Sequence, residues 1–111
     1  MSLLADIKTI MTNINLPCQV GAFKTTPAPD RYAVIVPMNT SLEYADNEPQ
    51  DEIQSIRIIV YSKGSYTSLV KSICNAIANA EISISEQRYI AHDDSTDLYQ
   101  YAIDVENNYE F

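Results

Sequence analysis

Apolar residues recur at helical spacing in two segments of the chain. The first segment follows Ser2, a favourable N-cap residue, and ends before Pro17. Its apolar stripe comprises Leu3, Ile7, Ile10 and Ile14, widened by Leu4 and Met11. The second segment follows Gly64, with Ser65 as the expected N-cap. Its expected buried stripe comprises Tyr66, Leu69, Val70, Ile73, Ile77 and Ala80. These patterns predict two amphipathic helices that each pack one face on a core.

Between the helices, Glu52–Tyr61 alternates with the period of two that a strand requires. Ile56, Ile58 and Val60 lie on one face, which is wholly apolar and is therefore predicted to face the core. The opposite face is mixed and comprises Ser55, Arg57, Ile59 and Tyr61. This pattern predicts a sheet covered on one side and either exposed or contacted by another subunit on the other side.

Four further segments have the composition of strands. They are Cys18–Phe23, Tyr32–Val36, Glu81–Ala91 and Leu98–Glu106. Pro37 restricts the second of them to an edge position or to a strand end. Leu42 and Tyr44 are candidates to prolong that strand past a bend, and Ala45–Asp51 is expected to be an exposed loop.

The last two strands are predicted to form an antiparallel hairpin around the polar turn His92–Asp97. In the first of them, the even-numbered Ile82, Ile84 and Ile90 are expected on one face of the strand and Tyr89 on the other. In the second, Tyr99, Tyr101, Ile103 and Val105 alternate with Gln100, Ala102, Asp104 and Glu106. Residues 106–111 are expected to be a mobile tail.

The predicted order of elements is α-β-β-β-α-β-β. Strands interrupted by single helices favour an α+β fold, with one mainly antiparallel sheet and both helices on one face. A chain of 111 residues is long enough for one core, so residues 1–111 are predicted to form a single domain.

The charge balance narrows the classes of partner. The chain has 7 basic and 15 acidic residues, a formal net charge of −8. Binding to the nucleic-acid backbone or to an anionic membrane requires Lys and Arg, so both classes of partner are disfavoured. The remaining interpretations are a solvated surface that maintains solubility, or an acidic surface that repels DNA or meets a basic partner.

The cysteines and the N-terminal segment indicate a cytosolic protein. Cys18 and Cys74 do not form a disulfide-dense pattern and are expected to be small buried apolar side chains. The N-terminal segment lacks the charged and apolar regions of a signal peptide, and no apolar run reaches the ~18 residues of a membrane span.

The residues that could carry chemistry do not form a catalytic motif. His92 is the one histidine, and it lies with Asp93 and Asp94 in the acidic turn before Asp97. Their spacing matches neither an EF-hand nor HExxH, and no serine lies in GxSxG. We therefore expect no enzyme activity, no metal site and no cofactor.

Several local phrases in this order resemble a known family. They are the helix ending at Leu16–Pro17, RYAVIVP at Arg31–Pro37, IRIIVYSK at Ile56–Lys63, LVKSICNAI at Leu69–Ile77 and YQYAIDVE at Tyr99–Glu106. Together they resemble the tail terminator (tail completion) proteins of long-tailed phages and prophages, and related minor head–tail joining proteins. The resemblance extends from about Leu3 to Glu106.

The resemblance implies a structural subunit of a homo-oligomeric ring, commonly six-fold, that caps the tail tube and meets the head connector or neck proteins. It implies assembly in the bacterial cytoplasm and a place in the virion tail or neck. It carries no catalytic signature, so only interface candidates follow. On the outer sheet face they are Arg57, Ile59 and Tyr61; in the acidic loop they are Glu43, Asp46, Glu48 and Asp51; in the turn they are His92, Asp93 and Asp94.

Two other classes of function remain as alternatives. An acidic inhibitor or DNA mimic would bind a basic protein and would carry its carboxylates in rows on one face, whereas the acidic residues here are spread over loops, turns and strand ends. A small hydrolase or metal-binding domain is disfavoured by the single histidine and by the missing motifs.

Overall fold

The computed structural model describes residues 2–22, 24, 27, 29–45 and 47–110. Two helices and five strands follow one another in the predicted order. They are α1 (Leu3–Asn13), β1 (Cys18–Val20), β2 (Arg31–Ala45), β3 (Glu48–Lys63), α2 (Thr67–Asn79), β4 (Ser83–Asp93) and β5 (Leu98–Glu110). Neither helix in the described part of the chain is long and apolar enough to cross a membrane.

The strands form one sheet in the order β1-β2-β3-β5-β4. Only the short β1 is parallel to its neighbour, and the other three pairings are antiparallel. Both helices pack on the same face of the sheet, around Ile58, Ile73 and Ile103, which are fully buried. The predicted α+β class and element order are therefore confirmed, as is the core face of β3 with Ile56, Ile58 and Val60.

Helix α1 begins and packs as its sequence predicts. The Ser2 hydroxyl accepts a hydrogen bond from the Ala5 amide at 3.1 Å, which is the arrangement of an N-cap. The Leu3 amide, which has no partner within the helix, donates to the side-chain oxygen of Gln54 on β3 at 2.8 Å. The start of the helix is thereby attached to the sheet.

The start of α2 differs from the prediction. The N-cap is Tyr66 and not Ser65, and no side chain caps the helix. The ring of Tyr66 instead packs among Tyr89, Tyr99 and Tyr101 of the last hairpin, with ring centroids 5.3–5.9 Å away. Burial of an aromatic ring outweighs a capping hydrogen bond of about 1 kcal/mol. At the other end, Ala80 is exposed at the C-cap and does not belong to the buried stripe.

The prediction of an exposed acidic loop at Ala45–Asp51 is wrong. Strand β2 continues to Ala45 and β3 starts at Glu48, so the two form a long hairpin that we call the arm, residues 38–54. Leu42 and Tyr44 do prolong β2, as the sequence suggested. The turn contains Asn47 with a φ of 65°, a conformation that asparagine tolerates.

The bend in β2 lies directly after Pro37. The pairing with β3 shifts by one residue between Pro37 and Asn39, which leaves Met38 in a bulge. Strand β1 pairs with β2 only through residues 33–35, so β2 is an edge strand at Pro37. The missing amide of proline therefore costs no sheet hydrogen bond there.

Two bulges in β4 change the predicted phase of its side chains. The pairing with β5 shifts between Ile84 and Glu86 and again between Tyr89 and Ala91. Because each bulge adds one residue, Tyr89 lies on the helix side, opposite Tyr101, and Ile90 is 41% exposed. The assignment of Ile90 to the same face as Ile82 and Ile84 is therefore wrong.

Strand β5 extends beyond its predicted end at Glu106. It continues to Glu110 and pairs with β3 as far as Asp51. The Tyr109 hydroxyl also donates a hydrogen bond to the carboxylate of Asp6 on α1. Residues 106–110 are thus strand, Phe111 lies outside the described residues, and the mobility of this segment stays a prediction.

The first strand is shorter than expected. It ends at Val20, where Gly21 has a φ of 83° and donates its amide hydrogen to the Ile35 carbonyl at 2.9 Å. A glycine adopts this left-handed conformation without strain, which allows the chain to leave the sheet. Phe23, the predicted end of the strand, lies outside the described residues.

Candidate assembly surfaces

The outer sheet face carries a compact apolar strip. Tyr32 on β2 stacks on Tyr61 on β3, with ring centroids 4.7 Å apart and planes 12° from parallel. Val34 and Ile59 are paired beside them, and together with Val36 they line a shallow groove on this face. Ile59 and Tyr61 therefore lie where the sequence places them, on a half-buried apolar surface that another subunit could cover.

Arg57 lies on the same face but is engaged within the chain. Its guanidinium donates two hydrogen bonds to the Asp104 carboxylate on β5, at 2.8 and 3.0 Å. These hydrogen bonds hold the pKa of Asp104 below its ordinary value and raise the pKa of Arg57. The pair crosses from β3 to β5, so Arg57 presents a neutralised ion pair and not a free cation to a neighbour.

The arm carries the acidic candidates on paired strands. Glu43 lies opposite Asp51, and Asp51 lies opposite Glu110 of β5, so three carboxylates form one row across the sheet. Like charges in such cross-strand positions repel one another. Glu48 is exposed beside the hairpin turn, and Asp46 lies outside the described residues. The sequence analysis did not predict this row, because it treated the segment as a loop without strand pairing.

The turn candidates form a small charged network at the opposite end of the sheet. The two ring nitrogens of His92 lie 2.8 Å from Asp97 and 3.1 Å from Asp94. The hydrogen bond with Asp97 is the main cause that raises the pKa of His92, and the charge of Asp94 adds to it. Asp93 instead accepts hydrogen bonds from Ser95, which lowers its pKa. These contacts are those of a turn closing on itself.

A groove between α2 and β4 was not anticipated from the sequence. It has a volume of about 450 Å³ and is lined by Tyr66, Thr67, Val70, Lys71, Cys74, Gln87 and Tyr101. Partial burial raises the pKa of the Cys74 thiol, so this cysteine is a mainly neutral apolar side chain in the groove wall. The sequence analysis placed Tyr66 on the buried stripe of α2 and did not predict a groove beside it.

The sequence-predicted candidates occupy three separate surfaces. Arg57, Ile59 and Tyr61 lie on the outer face, Glu43, Glu48 and Asp51 lie on the arm, and the His92 network lies at the other end of the sheet. Within the described residues, no group of three His, Cys, Asp or Glu side chains is arranged to hold a metal ion. What the molecule offers at all three places is surface for contact.

Comparison with protein-family models gives no match, and comparison with curated proteins gives none either. Among solved structures, the chain matches one from the virion of a native gene transfer agent (GTA) particle, with a TM-score of 0.63. The two chains are 10% identical, and the match covers 99% of this chain and 96% of that chain. The two chains share a fold. The likeness extends over the whole of both chains and is not limited to a common hairpin or helix pair.

Proposed function

We propose that this protein is a non-enzymatic structural subunit of a phage or phage-like particle. The observation that carries the proposal is the fold shared, over nearly the full length of both chains, with a chain of a GTA virion. The surfaces of the molecule support it, because the features that distinguish them are an apolar strip, an acidic arm and an aromatic groove.

Within such a particle, we propose the role of a tail terminator or head–tail joining subunit. Copies would assemble into a ring that caps the tail tube, with the tube protein on one side and the connector or neck proteins on the other. The ring would assemble in the bacterial cytoplasm and remain in the virion tail or neck. A net charge of −8 per copy suits a ring through which DNA passes, because a polyanion does not adhere to an acidic wall.

The first test is the assembly state of the purified protein. Light scattering over a concentration series should give the mass of an oligomer. Negative-stain imaging of the same samples should show closed rings of uniform diameter. The replacement Tyr61→Glu on the outer face is expected to weaken assembly, and Lys8→Glu on the exposed side of α1 is the matched control. A strict monomer at all concentrations would contradict the ring.

The second test separates a terminator from another neck component. The tail tube protein of the same genome is polymerised with and without this protein, and tube lengths are measured by electron microscopy. A terminator should bind one end and shorten the tubes in proportion to its concentration. Unchanged lengths, with binding to the connector alone, would assign the protein to the neck.

The acidic row on the arm favours one alternative function. Glu43, Asp51 and Glu110 lie side by side on adjacent strands, as an inhibitor that mimics DNA would require. Such a protein would be monomeric and would inhibit a basic DNA-binding protein. A monomer that competes with DNA for a nuclease, and loses this activity with Asp51→Asn, would favour the inhibitor over the ring subunit.

A further inference from the structure

Two apolar surfaces lie at opposite ends of this molecule. On the arm, Met38, Leu42 and Tyr44 are 50%, 39% and 63% exposed. At the other end, the groove between α2 and β4 is walled by Tyr66, Val70 and Tyr101. Exposed apolar side chains of this size, clustered on one element, are typical of interaction sites.

The arm residues continue the core face of the sheet beyond the helices. Leu42 lies opposite Glu52, and Glu52 lies opposite Tyr109, whose hydroxyl reaches α1 on the helix side. Side chains two residues apart on a strand share a face, so Tyr44 lies on this side as well. Leu42 and Tyr44 are thus on the face that is covered elsewhere, at a place where neither helix extends to cover it.

The groove has the chemistry to receive an aromatic side chain with acidic neighbours. Its walls are aromatic and aliphatic, and Lys71 is its one charged lining residue. The chain contains no Lys or Arg between Pro37 and Ile56, and Glu52, which lies opposite Leu42, is on the same face of the arm as Tyr44. The two surfaces are therefore complementary in charge as well as apolar.

The arm of one copy cannot reach the groove of the same copy. Tyr44 is paired with Pro49, whereas Tyr101 in the groove wall is paired with Val60. At about 3.3 Å per residue, the stretch of β3 from Pro49 to Val60 spans roughly 36 Å. The molecule is 55 Å long and about 25 Å across, consistent with surfaces at its two ends. Only a second copy can bring them together.

We propose that the end of the arm docks into the α2–β4 groove of a neighbouring copy. Tyr44 enters the groove beside Tyr66 and Cys74, and Lys71 pairs with the carboxylate of Glu52. Because the two surfaces differ, the contact is head to tail, and repetition of such a contact closes into a ring or continues as a filament. This inference rests on the proposed function for the closed ring and specifies which surfaces meet.

A cross-linking experiment tests the contact directly. Tyr44→Cys is made in a Cys18→Ser background, so that Cys74 is the one native thiol left. Diamide oxidises the two thiols to a disulfide, itself taking up the two electrons and two protons. The expected result is a ladder of covalent oligomers on a non-reducing gel, lost in a further Cys74→Ser variant. Thr40→Cys, exposed on the same strand nearer the body, is the matched control and should give at least tenfold less cross-linking.

Charge reversal provides an independent test that needs no new thiol. Lys71→Glu should raise the concentration required for assembly by at least tenfold, and Glu52→Lys should do the same. Combining the two changes should restore assembly towards that of the original protein. Lys63→Glu, at the same end but paired with Asp30 at 3.6 Å, is the control with the same charge change.

The outcomes distinguish this inference from the proposed function. Rings seen by negative-stain imaging, without the 44–74 ladder and without charge rescue, overturn the docking of the arm but leave the ring subunit intact. A cross-linked dimer with no higher species overturns the head-to-tail arrangement. A protein that remains monomeric at every concentration overturns both.

Discussion

The hydroxyl of Tyr109, near the end of the last strand, donates a hydrogen bond to the carboxylate of Asp6 on the first helix. The pKa of Tyr109 is raised to about 12, mainly by burial and secondly by this hydrogen bond. The contact joins two elements 103 residues apart and attaches the end of β5 to α1. It also marks where the helices stop and the uncovered arm begins.

Tyr109→Phe should destabilise the protein by about 1 kcal/mol at neutral pH, because one hydrogen bond is lost while the ring is kept. The measurement is chemical denaturation of the two proteins. Tyr44→Phe is the matched control, since its side chain is 63% exposed, and it should leave the free energy of unfolding unchanged.

The pH dependence of this difference gives a second check on the same contact. The folded-state pKa lies above the ordinary value of 10, so the stabilisation is complete below pH 10 and is lost as the pH rises towards about 12. The difference between the original protein and Tyr109→Phe should shrink over that window. A difference that stays constant up to pH 12 would show that the hydroxyl has no shifted pKa.

The bulges in β4 predict unequal effects of two similar isoleucine truncations. Ile82 is 5% exposed and belongs to the core, whereas Ile90 is 41% exposed. Ile82→Ala should cost about 2–4 kcal/mol in the free energy of unfolding. Ile90→Ala should cost less than about 1 kcal/mol, as an exposed position does. Equal costs would restore the simple alternation that the sequence suggests and would exclude the bulges.

The His92 network predicts a pH-dependent contribution to stability. The pKa of His92 is raised above 6.5 by its contacts with Asp97 and Asp94. The charged form is therefore favoured in the folded state, and its contribution is complete below pH 6.5 and is lost as the pH rises through the higher folded-state pKa. As His92 is the one histidine in the chain, its NMR titration is unambiguous.

Asp97→Asn should lower the pKa of His92 more than Asp94→Asn does, because the hydrogen bond with Asp97 is the largest cause of the shift. His92→Gln should remove the corresponding pH dependence of the unfolding midpoint. The same pKa in both asparagine variants would mean that the ring does not hold the contact with Asp97.

The ion pair on the outer face predicts that the stability of the fold depends on pH in the acidic range. Arg57 holds the pKa of Asp104 below its ordinary value of 3.8, so the charged carboxylate is favoured in the folded state. This contribution is present above pH 3.8 and is lost as the pH falls through the lower folded-state pKa. Asp104→Asn should therefore lower the thermal midpoint at neutral pH, with a difference that shrinks in acid. Asp30→Asn, whose carboxylate is well exposed, is the control.

Local pattern was sufficient for the elements whose side chains alternate without interruption. Ser2 caps α1, and Ile56, Ile58 and Val60 face the core, because capping and strand alternation depend on residues close in sequence. The pattern failed at β4 because a bulge shifts the phase of everything after it. Whether a bulge forms depends on the register with β5, which a single strand does not contain.

The loop prediction for the acidic segment after Pro37 failed for a related reason. The composition of this segment is that of a loop. It is nevertheless a strand, because it pairs with β3, which in turn pairs with β5. Asn47 was a local signal of a tight turn, since it is a residue that accepts positive φ.

The sequence alone determined the α+β class, the order of the elements, the separation of a core face from an outer face, and the acidic balance. These follow from periodicity and composition, which act over a few residues. Only the tertiary structure decided that Arg57 is paired with Asp104, that the acidic segment is an arm, and that Tyr66 and Tyr101 lie together in the wall of a groove. Each of these joins residues far apart in the chain, and such neighbours are set by strand register and packing.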